Sequence, residues 1–473
     1  MLRLIFLLTI CGFLGLFFIS PTGFDHILAW ACLFVMYGLI TMALSRPHAI
    51  RFGHYSYINL EVLFLFLSYV IFFLPYQMTI IGVSDTYSIQ KFRVTYPEGS
   101  NRALIVSTIS MLSFCFGLRL VPRPFPKQSH PLFTQINSVT VVVVIVLLLL
   151  LMTAFVTFGG LSFFSGEYVR RTQVGTLGSQ LLSVTTLVAM IASAIFVLQL
   201  VSGSLRKGGL LCGSLAIGWA TSLLILGDRN HLLLVALPVI AGVAFYRRNI
   251  GLAGLALMMV LTWNLYVVVE FARKQDTRGL ATLFAATLTE REDTPIWESS
   301  LTNSTTVTRV GINAVPTQFN FGYGKYLAIG ASGVVPFLRG QIWGNDPFAG
   351  SSSINTYLLN GPNASWGVGT TLVADVYMDF GIIGVPVSFL LLGAFGGWVT
   401  RRAILYPERL EVQALLLVTT ALFAQLPRYS LGLPIRYIVW TLLIFWGCRI
   451  LARLIRSITD PPASRTSSAH PAE

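Results

Sequence analysis

Long apolar runs separated by short polar turns fill most of the chain. A helix rises about 1.5 Å per residue, so about 20 apolar residues cross the roughly 30 Å of bilayer hydrocarbon. By that measure the pattern predicts twelve spanning helices, over residues 2–19, 25–44, 57–81, 103–121, 138–158, 177–201, 209–226, 231–246, 250–271, 367–400, 410–427 and 433–456. The run VTVVVVIVLLLLLM within 138–158 is the clearest of them. The first run follows Arg3, shows no small-residue cleavage pattern and is succeeded almost at once by the second, so it reads as a retained helix. The predicted fold class is all-α, a polytopic integral membrane protein.

One polar stretch interrupts this rhythm at length. It divides the chain into spans one to nine at 1–271, a large loop at 272–366, spans ten to twelve at 367–456, and a tail at 457–473. The tail is rich in Ser, Pro and Ala and is expected to be disordered. The loop is too long, and too rich in Gly, Asn, Ser and Thr, for a passive connector. It reads as a lid or substrate-binding segment, with the amphiphilic stretch KYLAIGASGVVPF at 325–337 expected in the membrane interface. No internal repeat is visible.

Composition agrees with the pattern. Charged residues make up 11% of the 473 positions and hydrophobic ones 55%, against about 25% charged in soluble domains. A soluble enzyme, a disordered chain and a disulfide scaffold are excluded. The net charge of +13 would suggest nucleic acid in a soluble protein. Here it follows the positive-inside rule, and no nucleic-acid partner is expected. With the N-terminus inside, the even loops carry Arg46 and Arg51, then Arg119, Arg123 and Lys127, then Arg206 and Lys207, then Arg247 and Arg248, then Arg401, Arg402 and Arg409. Both chain ends then lie inside and the loop 272–366 lies outside.

Some arginines defy that bias. Arg170 and Arg171 stand in FFSGEYVRRTQVG, Arg229 in LGDRNHLLL, Arg339 in VVPFLRGQIWGNDP, and Arg428 and Arg436 in LPRYSLGLPIRYIVW. Arg273, Lys274 and Arg278 follow the ninth span. Ionisable groups beside hydrocarbon are costly and tend to face cavities. A guanidinium stays charged and grips phosphate oxygens through a rigid fork. The set therefore points to a lipid-linked phosphate or pyrophosphate at the outer boundary, and Arg170, Arg229, Arg428 and Arg436 are expected to share one cavity. Snorkelling, or pairing with Glu167, Asp228 and Glu270, is the competing structural role.

Acids are as sparse. Asp375 and Asp379 lie four apart in GVGTTLVADVYMDFGIIG, hence on one helix face. If that helix starts near Gly367, Asp375 sits about 12 Å down its axis, placed to pair with an arginine or to act as a general base. Glu61 falls near the inner face and reads as structural. The five cysteines lie in apolar runs without metal-ligand spacing, and the six histidines form no zinc pattern. No P-loop, HExxH or G-x-S-x-G motif occurs. Neither a metal nor a cofactor is expected.

In this order the pieces FFSGEYVRRTQ, LGDRN, VVPFLRGQIWGNDP, WGVGTTLVADVYMDFGIIG and PRYSLGLPIRY resemble the Wzy-type O-antigen and repeat-unit polysaccharide polymerases, over roughly 155–445. Relatives of that kind often carry Glu where Asp375 stands. The resemblance implies a metal-independent glycosyltransferase in the bacterial inner membrane, with its site on the periplasmic side. It implies transfer of a growing glycan from an undecaprenyl-pyrophosphate donor onto a lipid-linked repeat unit. Arg170, Arg171, Arg229, Arg339, Arg428 and Arg436 would hold pyrophosphate, and Asp375 would take the acceptor proton. A chain-length regulator and a flippase are the implied partners. The rivals are an O-antigen ligase, disfavoured because 272–366 contains no His, and a lipid-linked oligosaccharide flippase, disfavoured by the lopsided loop.

Overall fold

The structure is a computed structural model that describes residues 1–45, 48–51, 54–83, 99–122, 124, 138–160, 175–225, 228–247, 250–274, 304–335, 338–343, 346, 348–364 and 367–459. The predicted tail beyond Thr459, most of the segment holding Arg170 and Arg171, and Arg278 fall outside these residues.

A helix lies on every one of the twelve apolar segments. The first two are α1 (Leu2–Ile19) and α2 (His26–Leu44), followed by a short antiparallel pair, β1 (His48–Arg51) with β2 (His54–Ser56). Next come α3 (Leu60–Phe72), α4 (Leu74–Ile80), α5 (Ser100–Leu120), α6 (Ser138–Phe155), α7 (Gly175–Val201), α8 (Lys207–Ile225), α9 (Arg229–Tyr246) and α10 (Leu252–Lys274). The long polar stretch contributes four shorter helices, α11 (Ser304–Ala314), α12 (Lys325–Ser332), α13 (Leu338–Trp343) and α14 (Ser351–Asn360). The chain closes with α15 (Leu372–Leu405), α16 (Leu410–Gln425) and α17 (Gly432–Thr459). Among the described residues eight helices are long and apolar enough to cross a membrane, or nine when the bent pair α3–α4 counts as one. Asn230–Tyr246 and Leu252–Asn264 are apolar but shorter.

The bend of 48° between α3 and α4 has a local cause. Pro75 has no N–H to give to the carbonyl four residues back, and its ring crowds that carbonyl. The oxygen concerned, on Ile71, instead accepts the hydroxyl of Thr305 from α11. The third predicted span is therefore broken where its proline stands.

Two apolar clusters form the interior. One joins α1–α5 to α15 through Phe64, Phe114, Tyr377 and Phe389. The other joins α6–α9 to α16 and α17 through Leu187, Trp219, Leu417 and Tyr437. Helices in hydrocarbon associate by close packing, for which small residues are needed. A Cβ on Gly117 would fall 2.1 Å from the Leu390 carbonyl oxygen, and one on Gly393 2.1 Å from that of Phe114. α5 and α15 thus cross backbone against backbone. Outward-facing Leu8, Phe34, Leu150, Ile217, Leu391 and Trp446 are exposed, a surface suited to lipid and ill suited to water.

Contacts gather the turns into two ends. At one end the Asn101 amide donates to the carbonyls of Pro21 (2.9 Å) and Gly23 (2.6 Å). There too the hydroxyls of Thr308 and Thr371 meet at 2.7 Å and Arg428 reaches Asn230 at 3.2 Å. At the other end Arg119 pairs with Glu61 at 2.9 Å and the Gln413 amide donates to Ala403 at 2.8 Å. The stretch 325–337 is not a free surface helix over its described residues, 325–335. α12 lies on α17, where a Cβ on Gly330 would come within 2.4 Å of the Gly432 Cα.

Candidate functional site

α15 begins at Leu372, capped by Thr371, whose hydroxyl accepts the Ala374 N–H at 3.3 Å. The glycine-rich residues before it stay outside the helix, with Gly369 in the left-handed region at φ +80°. Asp375 therefore sits in the first turn of the helix, and not about 12 Å along it. Its side chain is buried. One oxygen accepts the Ser351 hydroxyl at the start of α14, and the other accepts the Leu431 N–H at 2.9 Å. Among the described residues no arginine pairs with it. Ser351 has a second acceptor, the Thr370 hydroxyl at 3.1 Å.

Asp379, on the same face one turn on, does something the sequence did not suggest. Its Oδ1 accepts the N–H groups of Gly324 (2.9 Å) and Tyr326 (3.1 Å), and its Oδ2 accepts that of Leu327 (2.9 Å). α12 has no cap of its own, since Gly324 precedes it. A carboxylate from a neighbouring span supplies both the acceptors and the negative charge that a helix N-terminus favours. Gly381 makes room for this by leaving helical geometry at φ 68°, ψ −171°. The carbonyls of Met378 and Asp379 then accept the N–H groups of Gly322 (2.9 Å) and Tyr323 (2.7 Å). Burial pushes the Tyr326 phenol up to about 12, with nearby Asp379, Asp375 and Asp346 adding to it. Asp346 is held below the usual carboxylate range by Lys325, which donates at 2.8 Å, and by the Phe348 N–H.

The arginines fall in several places. Arg170 and Arg171 lie outside the described residues. Arg229 opens α9 and Arg339 lies in α13, with only the backbone described for both. Asp228 caps α9, accepting the His231 N–H at 3.3 Å while its other oxygen meets His231 Nδ1 at 2.7 Å. The next residue but one, Asn230, accepts a hydrogen bond from Arg428 Nη1 at 3.2 Å. The LGDRN start and the PRYS turn are thereby joined.

Arg428, Asn230 and Gln425 share a groove with Leu63, Phe66, Leu67, Val70, Leu237 and Trp263. Both Asn230 to Leu237 and Val70 to Leu63 run about 10 Å along their helices, from the end where the polar groups cluster into apolar surroundings. Such a groove accepts an anionic head and a hydrocarbon tail. Arg436 lines a different one, with Gln180, Ser183, Leu187, Gly333 and Trp440. The two linings have no residue in common. Asn230, Gln425 and Ser351 went unnoticed in the sequence. Asn230 had a signal beside Arg229 in LGDRN, whereas Ser351 had none. Among the described residues no group of three or more His, Cys, Asp or Glu is placed to hold a metal.

A family model described as O-antigen polysaccharide polymerase Wzy matches residues 1–458. No curated protein and no solved structure matches the chain.

Proposed function

The chain belongs to the O-antigen polysaccharide polymerase Wzy family, and from that premise we propose that it joins repeat units at the periplasmic face of the inner membrane. It spans the membrane twelve times, with 272–366 on the outer side. The donor is a growing glycan on undecaprenyl pyrophosphate, and the acceptor is a lipid-linked repeat unit. Supporting this topology, the turn at 20–25 bonds Asn101 at the start of α5, where a Cβ on Gly99 would fall 3.1 Å from the Arg309 carbonyl oxygen of α11, and the turns at 228–230 and 426–428 bond each other.

The observation that carries the reading is Arg428 at the polar end of an apolar groove, bonded to Asn230 beside Arg229. In the reaction the bond from the donor's anomeric carbon to its pyrophosphate oxygen breaks, and the acceptor hydroxyl oxygen takes that place. Undecaprenyl pyrophosphate leaves with the electron pair, and its growing charge is met by Arg428 and Arg229, with Arg170, Arg171 and Arg339 assigned to the same anion. Asp375 takes the hydroxyl proton. Ser351 frees it for that task by turning its own proton to Thr370. Metal is not required for any of these steps.

Deletion in the native host, followed by surface-glycan gels, tests the assignment. The ladder is lost and a single repeat unit stays on the lipid core. Loss of every repeat overturns it. Complementation with Asp375→Asn leaves the ladder absent at normal protein level, because a general base contributes roughly 10²–10⁴-fold, while Ser351→Ala restores it in part.

A further inference from the structure

The groove at Arg436 is not used by the donor described above. α7 lines it from Leu177 to Leu187, about 15 Å of helix. Its wall is completed by Gly333 just past α12, by Trp440, whose indole N–H donates to the Val334 carbonyl at 2.7 Å, and by Arg436. The guanidinium lies 5.5 Å from the Tyr437 ring centre, and among the described residues it has no carboxylate partner. The oxygens of Asp228, at the start of α9, meet the N–H and Nδ1 of His231. A positive head over an apolar channel at the membrane boundary selects an amphiphile with an anionic head.

The polymerisation itself says which amphiphile. Two lipid-linked glycans must be held at once, each with its phosphate at the boundary and its tail in hydrocarbon, so two separate grooves of this kind are required. The residues from 426 to 436 serve both. Arg428 enters one groove and Arg436 the other, and between them the Leu431 N–H holds Asp375. The leaving pyrophosphate needs the richer polar setting of Arg428, Asn230 and Gln425. A lipid that is only held in place needs one cation. We propose that the Arg436 groove binds the polyprenyl phosphate of the acceptor, with Asp375 standing between it and the donor. This rests on the polymerase reading.

The test separates the two lipids chemically. A donor capped at its non-reducing sugar can give its glycan but cannot accept. A repeat unit joined to its polyprenyl chain through a non-cleavable phosphonate can accept but cannot donate. With purified full-length protein in lipid nanodiscs, Arg436→Gln raises KM for the phosphonate acceptor about ten-fold or more, the loss expected for hydrogen bonds to a charged group. It leaves KM for the capped donor within two-fold, which also shows that the fold is intact. Arg428→Gln gives the opposite split. Leu151→Trp, which fills the Arg436 groove without touching its charge, repeats the Arg436→Gln pattern. If the wild type makes product but Arg436→Gln leaves acceptor KM unchanged, the assignment is overturned while the polymerase reading stands. The assignment is likewise overturned if the groove holds phosphatidylglycerol so that the substitution changes only phospholipid retention, or if free inorganic phosphate competes as well as polyprenyl phosphate. If the wild type makes no product from this pair, the polymerase reading itself has failed.

Discussion

Asp379→Ala tests the coupling between a span and the loop helix above it. The carboxylate accepts three backbone N–H groups at 2.9, 3.1 and 2.9 Å. Hydrogen bonds to a charged group are worth roughly 1.5–3 kcal/mol each, while loss of an ordinary N-cap costs about 0.5–2 kcal/mol. The sum of three is an upper bound. Water reaches the freed N–H groups once the helix end lifts, and a buried charge is no longer desolvated. A net cost of about 3 kcal/mol for opening α12 is expected, which corresponds to roughly a hundred-fold or more in the local equilibrium. Asp379→Asn keeps an oxygen for Gly324 and Tyr326 but turns an N–H₂ group towards the Leu327 N–H, so its effect is intermediate. The assay is hydrogen exchange in detergent or nanodiscs, read on the peptide containing Tyr326 and Leu327. Exchange speeds up in the order wild type, Asn, Ala, while peptides from α5 and the rest of α15 keep their protection. Because the end of α12 walls the Arg436 groove, acceptor KM rises in parallel. Unchanged exchange at 326–327 in Asp379→Ala refutes the reasoning. So does uniform acceleration everywhere, which would make Asp379 a general stabiliser.

Three further outcomes are expected. Gly393→Ala forces α5 and α15 apart and lowers the thermal midpoint in detergent, at a cost of about 1–3 kcal/mol for overpacking; Gly447→Ala, whose Cβ meets nothing within 4 Å, leaves it unchanged. Arg428→Lys keeps the charge but loses the fork that engages Asn230 and phosphate, so the rate falls about ten-fold, and wild-type activity persists in EDTA; inhibition reversed by Mg²⁺ would show that a metal takes part. In a cysteine-free background, Asn363→Cys reacts with an impermeant maleimide on intact spheroplasts and Lys207→Cys reacts only after lysis; the reverse result would invert the topology.

The sequence disclosed most about what is local. An apolar run of about 20 residues declares a helix wherever it stands, and helices occupy all twelve runs. Where expectation and structure part, the cue was short and the outcome depended on a distant partner. Pro75 was visible inside the third run, but its effect depends on Thr305 donating to the Ile71 carbonyl, 234 residues away in sequence. The α15 helix was expected to start near Gly367, yet its cap is Thr371, four residues on. The pairing of Asp375 with Asp379 on one face was legible from spacing. Their division of labour was not, because the groups that decide it lie far along the chain. Asp379 is set by N–H groups 52–55 residues earlier, and Asp375 by an N–H 56 residues later.

The arginines show the same limit from the other direction. Charge against the topological bias marks a residue as unusual, and a membrane makes that mark more reliable than it is in water. It does not say which cavity the residue enters. Arg428 and Arg436 are eight positions apart, more than two turns if helical, and the break between them at 429–431 sends them to grooves with no shared wall. That break is also where Leu431 offers its N–H to Asp375. An unbroken helix would have committed that N–H to its own carbonyl four residues back. Interrupting the backbone therefore supplies, in one short turn, the separation of two cations and the anchor for the acid between them. Extending α17 backward through this turn, for instance by replacing Pro434 with Ala while Gly432 keeps its close packing on Gly330, should draw the N–H away and cost transfer activity even with every charged residue in place.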